Sequence, residues 1–183
     1  YNCPVKSLGS NKFKKLVKAK RKVYRNNNFL IIPEAFYSEI DHLLIFTLKI
    51  AKLLPENNFT FRCHPMINVD EIKHNINLPN NVELSSKNLG EDINNSKFVL
   101  FRGSAAVFES VTLGLKPIYL DVKHEPNINP FKDSFSNKYN VIDPKDIFRV
   151  LKEYKVKKID NKIIQYANDY FTKIDINQIK SLL

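Results

Sequence analysis

A chain of 183 residues, 43% hydrophobic and 26% charged, can bury one full-sized core, and a second independent domain would have to be very small. No apolar stretch reaches the roughly 18 residues of a membrane span, and the start lacks the basic head and apolar middle of a signal peptide. Two cysteines, Cys3 and Cys63, argue against a disulfide framework and for a reducing, cytoplasmic setting.

The formal net charge of +10 is concentrated in residues 1–28, which hold nine basic residues from Lys6 to Arg25 and no acid. Phe13, Leu16, Val17, Val23 and Tyr24 recur there at near-helical spacing opposite a lysine-rich face, which predicts a basic amphipathic helix. An anionic membrane surface met through residues 12–25 and an interdomain linker with solvated lysines are both open for it. The expected organisation is a basic segment over 1–28 and a folded domain over 29–183, and the opening Tyr1-Asn2-Cys3-Pro4 fits a piece of a longer polypeptide.

Asn26-Asn27-Asn28 break the basic segment, and Phe29-Leu-Ile-Ile32 reads as a buried strand stopped by Pro33. Ser38 and Asp41 form a capping-box pattern ahead of an apolar helical face, Ile40, Leu43, Leu44, Thr47, Ile50, Ala51 and Leu54, that stops at Pro55. Then come a strand from Phe59 to Cys63, a short helix from about Val69 to Lys73, a strand from Val82 to Leu84 and a short helix around Glu91 to Asn94. Phe98 to Phe101 is a strand that leads through Gly103 into a helix from Ser104 to Gly114, and Pro117 opens another apolar run to Asp121. His124 to Asn137, with Pro126 and Pro130 and no periodicity, reads as a loop. Tyr139 to Ile142 is a short final strand. Asp143 as N-cap and Pro144 at the first helical position start a helix with Ile147, Val150, Leu151 and Tyr154 inward, and another helix runs from Asn161 to Tyr170. Strands alternating with helices predict an α/β, Rossmann-like three-layer αβα domain with a mostly parallel sheet.

Ligands of such sheets sit outside the carboxyl ends of the strands. Glu34, Arg62, His64, Arg102, Gly103, Ser104 and Asp121 all follow strands and are expected on one rim. His64 can donate a ring N–H to a phosphate oxygen, with Pro65 holding the chain extended; a loop histidine that only closes a strand has the same pattern. Gly103 permits close backbone approach, while Ser104 as N-cap and the N–H of Ala105 suit an anion at a helix start. A ligand-free strand-to-helix turn wants the same residues. Arg62 and Arg102 are candidates to neutralise phosphate charge. For Glu109, binding a ribose hydroxyl pair and simple solvation are both open; Ser85, after the strand Val82 to Leu84, is a second ribose or base candidate, and Glu34 an acid near an acceptor. His64, His74 and His124 with Cys63 have no zinc spacing, so no metal site and no cofactor are expected, and the P-loop, dinucleotide-binding and hydrolase-elbow signatures are absent.

His64-Pro65, Gly103-Ser104, Glu109 and Gly114-Leu115-Lys116-Pro117 together resemble the C-terminal, donor-binding half of GT-B glycosyltransferases. Within them the resemblance is to the group using CMP-activated sugars or CDP-linked polyols: bacterial sialyltransferases, capsule Kdo transferases and CDP-glycerol glycerophosphotransferases. It covers about Phe29 to Asp121. Two departures stand out: Ser104-Ala105 where many relatives have Ser-Ser or Ser-Thr, and one extra residue relative to the commoner Gly-Lys-Pro. The resemblance implies a nucleotide-activated donor, CMP or CDP with UDP as alternative, a glycan acceptor in capsule or lipopolysaccharide synthesis, His64 as the catalytic group at the leaving phosphate, and an N-terminal half supplying the acceptor site and base. A UDP-sugar transferase or epimerase-like protein is one alternative. A non-enzymatic basic module for polyanions or membrane surfaces is another, without specific nucleic-acid recognition. The expected location is the cytoplasm or the inner-membrane surface.

Overall fold

The computed structural model describes residues 27–70, 72, 76–131, 134–171 and 176–180. The basic helix expected over Phe13 to Tyr24 lies outside them, as does His74, and of the short helix expected from Val69 to Lys73 only Val69, Asp70 and Ile72 are described, all helical.

Six strands form one sheet: β1 (Phe29–Ile32), β2 (Phe59–Phe61), β3 (Val82–Leu84), β4 (Phe98–Phe101), β5 (Lys116–Leu120) and β6 (Asn140–Val141), in the order β3-β2-β1-β4-β5-β6. Every neighbouring pair is parallel, so the sheet is wholly parallel where a mostly parallel one was expected. The central strands β1 and β4 are buried along their whole length, as their unbroken apolar runs require of strands covered on both faces. One rung shows the packing. Phe29 is level with Phe59 on one side and Phe98 on the other, and its ring stacks on theirs at 4.8 and 4.9 Å.

Helix α1 (Tyr37–Leu53) buries Ile40, Leu43, Leu44, Phe46, Thr47, Ile50 and Ala51. The capping box expected at Ser38 is absent: the helix starts at Tyr37, Phe36 is its N-cap and no side chain caps it, which places Ser38 inside the first turn. Helix α2 (Leu89–Asn94) has the box instead, for Asn88 accepts from the N–H of Glu91 and its amide donates to the Glu91 carboxylate. Helix α3 (Ala106–Thr112) follows β4. The segment read as a plain loop carries core: Phe131 and Phe135 are buried, each packed edge-on against Phe101, and Tyr139 joins them. Helix α4 (Asp146–Val156) starts later than Asp143, after a tight lead-in turn. Asp143 still caps in substance, accepting from the N–H of Lys145, and Asp146 turns back to accept from the N–H groups of Ile142 and Asp143, both at 2.9 Å. Helices α5 (Asn161–Tyr170) and α6 (Ile176–Lys180) follow, and Ile163, Ala167 and Phe171 extend the core that begins at Phe29.

Candidate active site at the carboxyl rim of the sheet

Chain connectivity reverses between β1 and β4, and in open parallel sheets ligands bind in the crevice at that switch point. Ile31 on β1 is level with Phe61 on β2 and Leu100 on β4. Three residues further along each segment stand Glu34, His64 and Gly103. Parallel register therefore places the loops that carry the acid, the histidine and the glycine turn at the same end of the sheet, where Asp121 also follows β5.

Gly103 has φ +77°, a left-handed backbone that a residue with a Cβ adopts only under strain. A Cβ there would also stand 2.9 Å from Cδ of Glu34 and 3.0 Å from Cδ1 of Ile128, so the Glu34 carboxyl group lies over the turn. A phosphate at this turn would be repelled by that carboxylate, and its binding requires the half-buried Glu34 side chain to swing aside. Ser104, nearly buried, is not the N-cap expected. Helix α3 begins at Ala106, its cap position Ala105 is already in helical conformation, and no side chain caps it. Ser104 instead contributes its carbonyl, which accepts from the N–H of Val107. Ala105 is exposed and Glu109 half-buried on α3.

His64 is half-buried after β2, and its Nδ1 accepts from the N–H of Met66 at 3.3 Å while its carbonyl accepts from Ile67. With Nδ1 accepting, the proton of the neutral ring is on Nε2, the form able to donate to a phosphate oxygen. Cys63 beside it is a free, half-buried thiol whose pKa burial raises, which keeps it protonated and inert.

Both arginines take other roles than expected. Arg102 does not face a ligand: its side chain is 1% exposed, Nε lies 2.8 Å from Oε2 of Glu39, and Nη2 donates to Glu125 at 2.5 Å. The Nε contact is an ion pair without hydrogen-bond alignment. Nη1 also reaches the Tyr119 hydroxyl at 3.3 Å, which accepts the N–H of Ile128 as well. Two carboxylates neutralise the guanidinium, leaving no free charge for a phosphate. Glu125 further pairs with His42 Nε2 at 2.8 Å. Loss of hydration works to raise the Glu125 pKa, but Arg102 and His42 outweigh it and hold it below the usual carboxylate value. The turn that aims Glu125 inward contains His124 at φ +67°. Arg62 is likewise held within the fold, Nη1 lying 2.9 Å from Oδ2 of buried Asp92 and 2.5 Å from the Lys87 carbonyl. Ser85 donates to the same Asp92 oxygen at 2.6 Å, so its hydroxyl proton is committed to the fold and not to a ribose or base.

Asp92, Glu125 and His42 were not singled out from sequence, and Glu39 stood out only as a helix-start carboxylate favoured by the dipole. Asp92 had a local signal, since it follows the Asn88-x-x-Glu91 box on a short helix. Glu125 and His42 had none. A cavity of about 400 Å³ opens on the same rim beside β5 and β6, lined by His42, Phe46, Lys49, Asp121 and Lys123 among others, within the size range of small-molecule sites. No group of three or more metal-ligating side chains is gathered among the described residues.

No protein-family profile and no curated protein sequence matches the chain. Solved structures do. KpsC of Thermosulfurimonas dismutans, a beta Kdo 2,4 transferase, superposes with a TM-score of 0.50 at 12% identity, over 80% of this chain and 45% of that one. The glycosyltransferase SnogD from Streptomyces nogalater gives 0.57 at 10% identity, over 88% and 44%. The spinosyn rhamnosyltransferase SpnG complexed with thymidine diphosphate gives 0.54 at 14% identity, over 97% and 50%. The chain thus spans about half the length of these proteins. With its wholly parallel sheet and the switch point between β1 and β4, the chain has the Rossmann-like α/β fold found in GT-B glycosyltransferases.

Proposed function

We propose that the chain is the donor-nucleotide-binding half of a bacterial GT-B glycosyltransferase that acts in the cytoplasm on surface polysaccharides, with a CMP-sugar or CDP-polyol as donor. The observation that carries this reading is the superposition on halves of GT-B enzymes, a Kdo transferase among them. The preference for cytidine nucleotides rests on His64-Pro65, whose Nε2–H is free of the Nδ1 contact to Met66 and which follows β2 at the same end of the sheet as the Gly103 turn. In the reaction an acceptor hydroxyl attacks the anomeric carbon, the bond from that carbon to the phosphate oxygen breaks, and CMP leaves with the electron pair. For a polyol phosphate the attack falls on the β-phosphorus. His64 stabilises the charge that builds on the departing phosphate, and a preorganised donor of this kind acts most strongly where charge develops. Ser104 and the N–H of Ala105 line the same turn, Glu109 is the ribose candidate on α3, and Glu34 faces the acceptor side once displaced. The other half of the enzyme supplies the acceptor cleft and the base that takes the acceptor's proton.

A UDP- or TDP-sugar donor is the second reading, favoured by the superposition on SpnG with thymidine diphosphate bound. Isothermal titration with CMP, CDP, UDP and TDP separates the two. Cytidine-selective binding that weakens about tenfold or more in His64→Ala, as expected on losing a hydrogen bond to a charged group, supports the first. Tighter binding of UDP or TDP supports the second, and no binding of any nucleotide at millimolar concentration refutes both.

A further inference from the structure

At the opposite, amino end of the sheet a cavity of about 830 Å³ is lined by Lys97, Lys116, Lys152 and Lys155, with no carboxylate in its lining. A second cavity of about 610 Å³ shares Lys116 and Lys155 and adds Lys157 and Lys158. Lys116 pairs with Phe98 across β4 and β5, which puts the lysines about 15 Å from the donor rim, at 3.3 Å per strand residue.

The contacts these lysines make are neutral. Lys116 Nζ donates to the Tyr154 carbonyl at 2.7 Å and sits 5.2 Å from the centre of the Tyr154 ring. Lys97 Nζ donates to the Asn27 side chain at 2.7 Å and lies 5.5 Å from the Phe98 ring. Lys152 and Lys155 project from α4 as exposed side chains, and none of the four forms an ion pair among the described residues. Glu56 and Glu153, each next in sequence to a lining residue, are not themselves in the lining. Burial, and then the charge of Lys97, lower the Lys116 pKa: the lysines repel one another, and an anion between them relieves that repulsion. Phe98, Leu151 and the half-exposed Phe148 supply an apolar wall beside the charges, the mixture of apolar lining and a few convergent polar groups typical of ligand sites. Asn27, a lining residue, belongs to the basic segment of residues 1–28.

We propose that this cavity is a second ligand site, separate from the donor rim, which holds the phosphate group of an anionic ligand, soluble or lipid-borne, between Lys97, Lys116, Lys152 and Lys155.

The test uses the full chain and two probes: inorganic pyrophosphate by isothermal titration, and phosphatidylglycerol/phosphatidylcholine vesicles by co-sedimentation. Lys152→Glu/Lys155→Glu reverses two charges at the site, and Lys14→Glu/Lys15→Glu reverses two in the basic segment. The site predicts that binding of at least one probe falls about tenfold or more in the first variant and changes less than about twofold in the second, because Lys152 and Lys155 line the cavity and the proposed site is built from them, and charge attraction is strongest at contact. Binding of pyrophosphate identifies a soluble ligand, and binding of vesicles alone a lipid headgroup. Wild-type protein that binds neither probe overturns the proposal. So does a Lys152→Glu/Lys155→Glu variant that binds like wild type, or an equal loss in both variants, which marks diffuse charge. Should the double variant unfold, Lys155→Gln at an exposed position carries the same comparison.

Discussion

Arg102→Met separates a structural role from a ligand-binding one. The guanidinium is 1% exposed and its partner Glu39 12% exposed, so the substitution fills the space with an apolar side chain and leaves the Glu39 carboxylate almost buried without its counter-charge. Breaking a buried pair from one side costs about 3–5 kcal/mol. The residual exposure of Glu39 favours the lower end, about 3 kcal/mol, and Glu125 adds nothing to that figure because solvent screens it. In a chain of this size each kcal/mol moves the melting temperature by about 2–4 °C, so a fall of about 6–12 °C is expected. Urea denaturation followed by far-UV circular dichroism measures the loss. Arg102→Met/Glu39→Leu removes both charges, and since apolar replacement of a whole buried pair is often close to neutral, it should recover about 2 kcal/mol or more of the deficit. The reasoning fails if Arg102→Met lies within about 0.5 kcal/mol of wild type, the range of ordinary surface changes, yet loses nucleotide binding. That result would turn Arg102 toward the ligand.

Gly103→Ala forces a left-handed backbone on a residue with a Cβ, a cost of about 1–2 kcal/mol, and Glu34 and Ile128 must yield as well; an unchanged melting curve would show that the turn relaxes to negative φ. At Asp146 burial works to raise the pKa, but the N–H groups of Ile142 and Asp143, with Arg149, outweigh it and hold the carboxyl below its usual value. Its contribution to stability is therefore complete above the unfolded aspartate value of about 3.9 and disappears as pH falls through the depressed folded value. Asp146→Asn should flatten the acid limb of the stability curve, and parallel limbs for both proteins between about pH 2 and 4 would contradict that.

What could be read from sequence divides along physical lines. The bounds of β1 and β4 follow from apolar runs between breakers, because the burial that defines these strands is written in consecutive residues. The aromatic cluster of Phe131, Phe135 and Tyr139 was not legible: those residues have no period, and they pack on rings from other parts of the chain, Phe131 and Phe135 on Phe101 and Tyr139 on Tyr154. Capping fell between the two. Asn88 and Glu91 carry a box, whereas Ser38 and Asp41 have the same pattern at a place where the helix has already begun.

The rim follows the same division. That Glu34, His64 and Gly103 lie at one end of the sheet could be argued before any coordinates, because in a parallel sheet the residues after adjacent strands must emerge at the same end. Which side chains remain available to a ligand could not. Arg62 and Arg102 look alike as strand-end arginines, and both are taken up by carboxylates from distant parts of the chain: Asp92 on α2, Glu39 on α1, and Glu125 in the turn after β5. The positive charge expected at the donor phosphate is thus consumed in holding the rim together. On the proposed reading, a donor phosphate would meet neutral groups here, the Nε2–H of His64 and the N–H groups at the Gly103 turn, with the Glu34 carboxylate as a barrier to displace. Replacing that carboxylate by an amide, Glu34→Gln, removes the repulsion while keeping the shape, so it should tighten nucleotide binding. An equal or weaker affinity would mean that Glu34 does not oppose the phosphate.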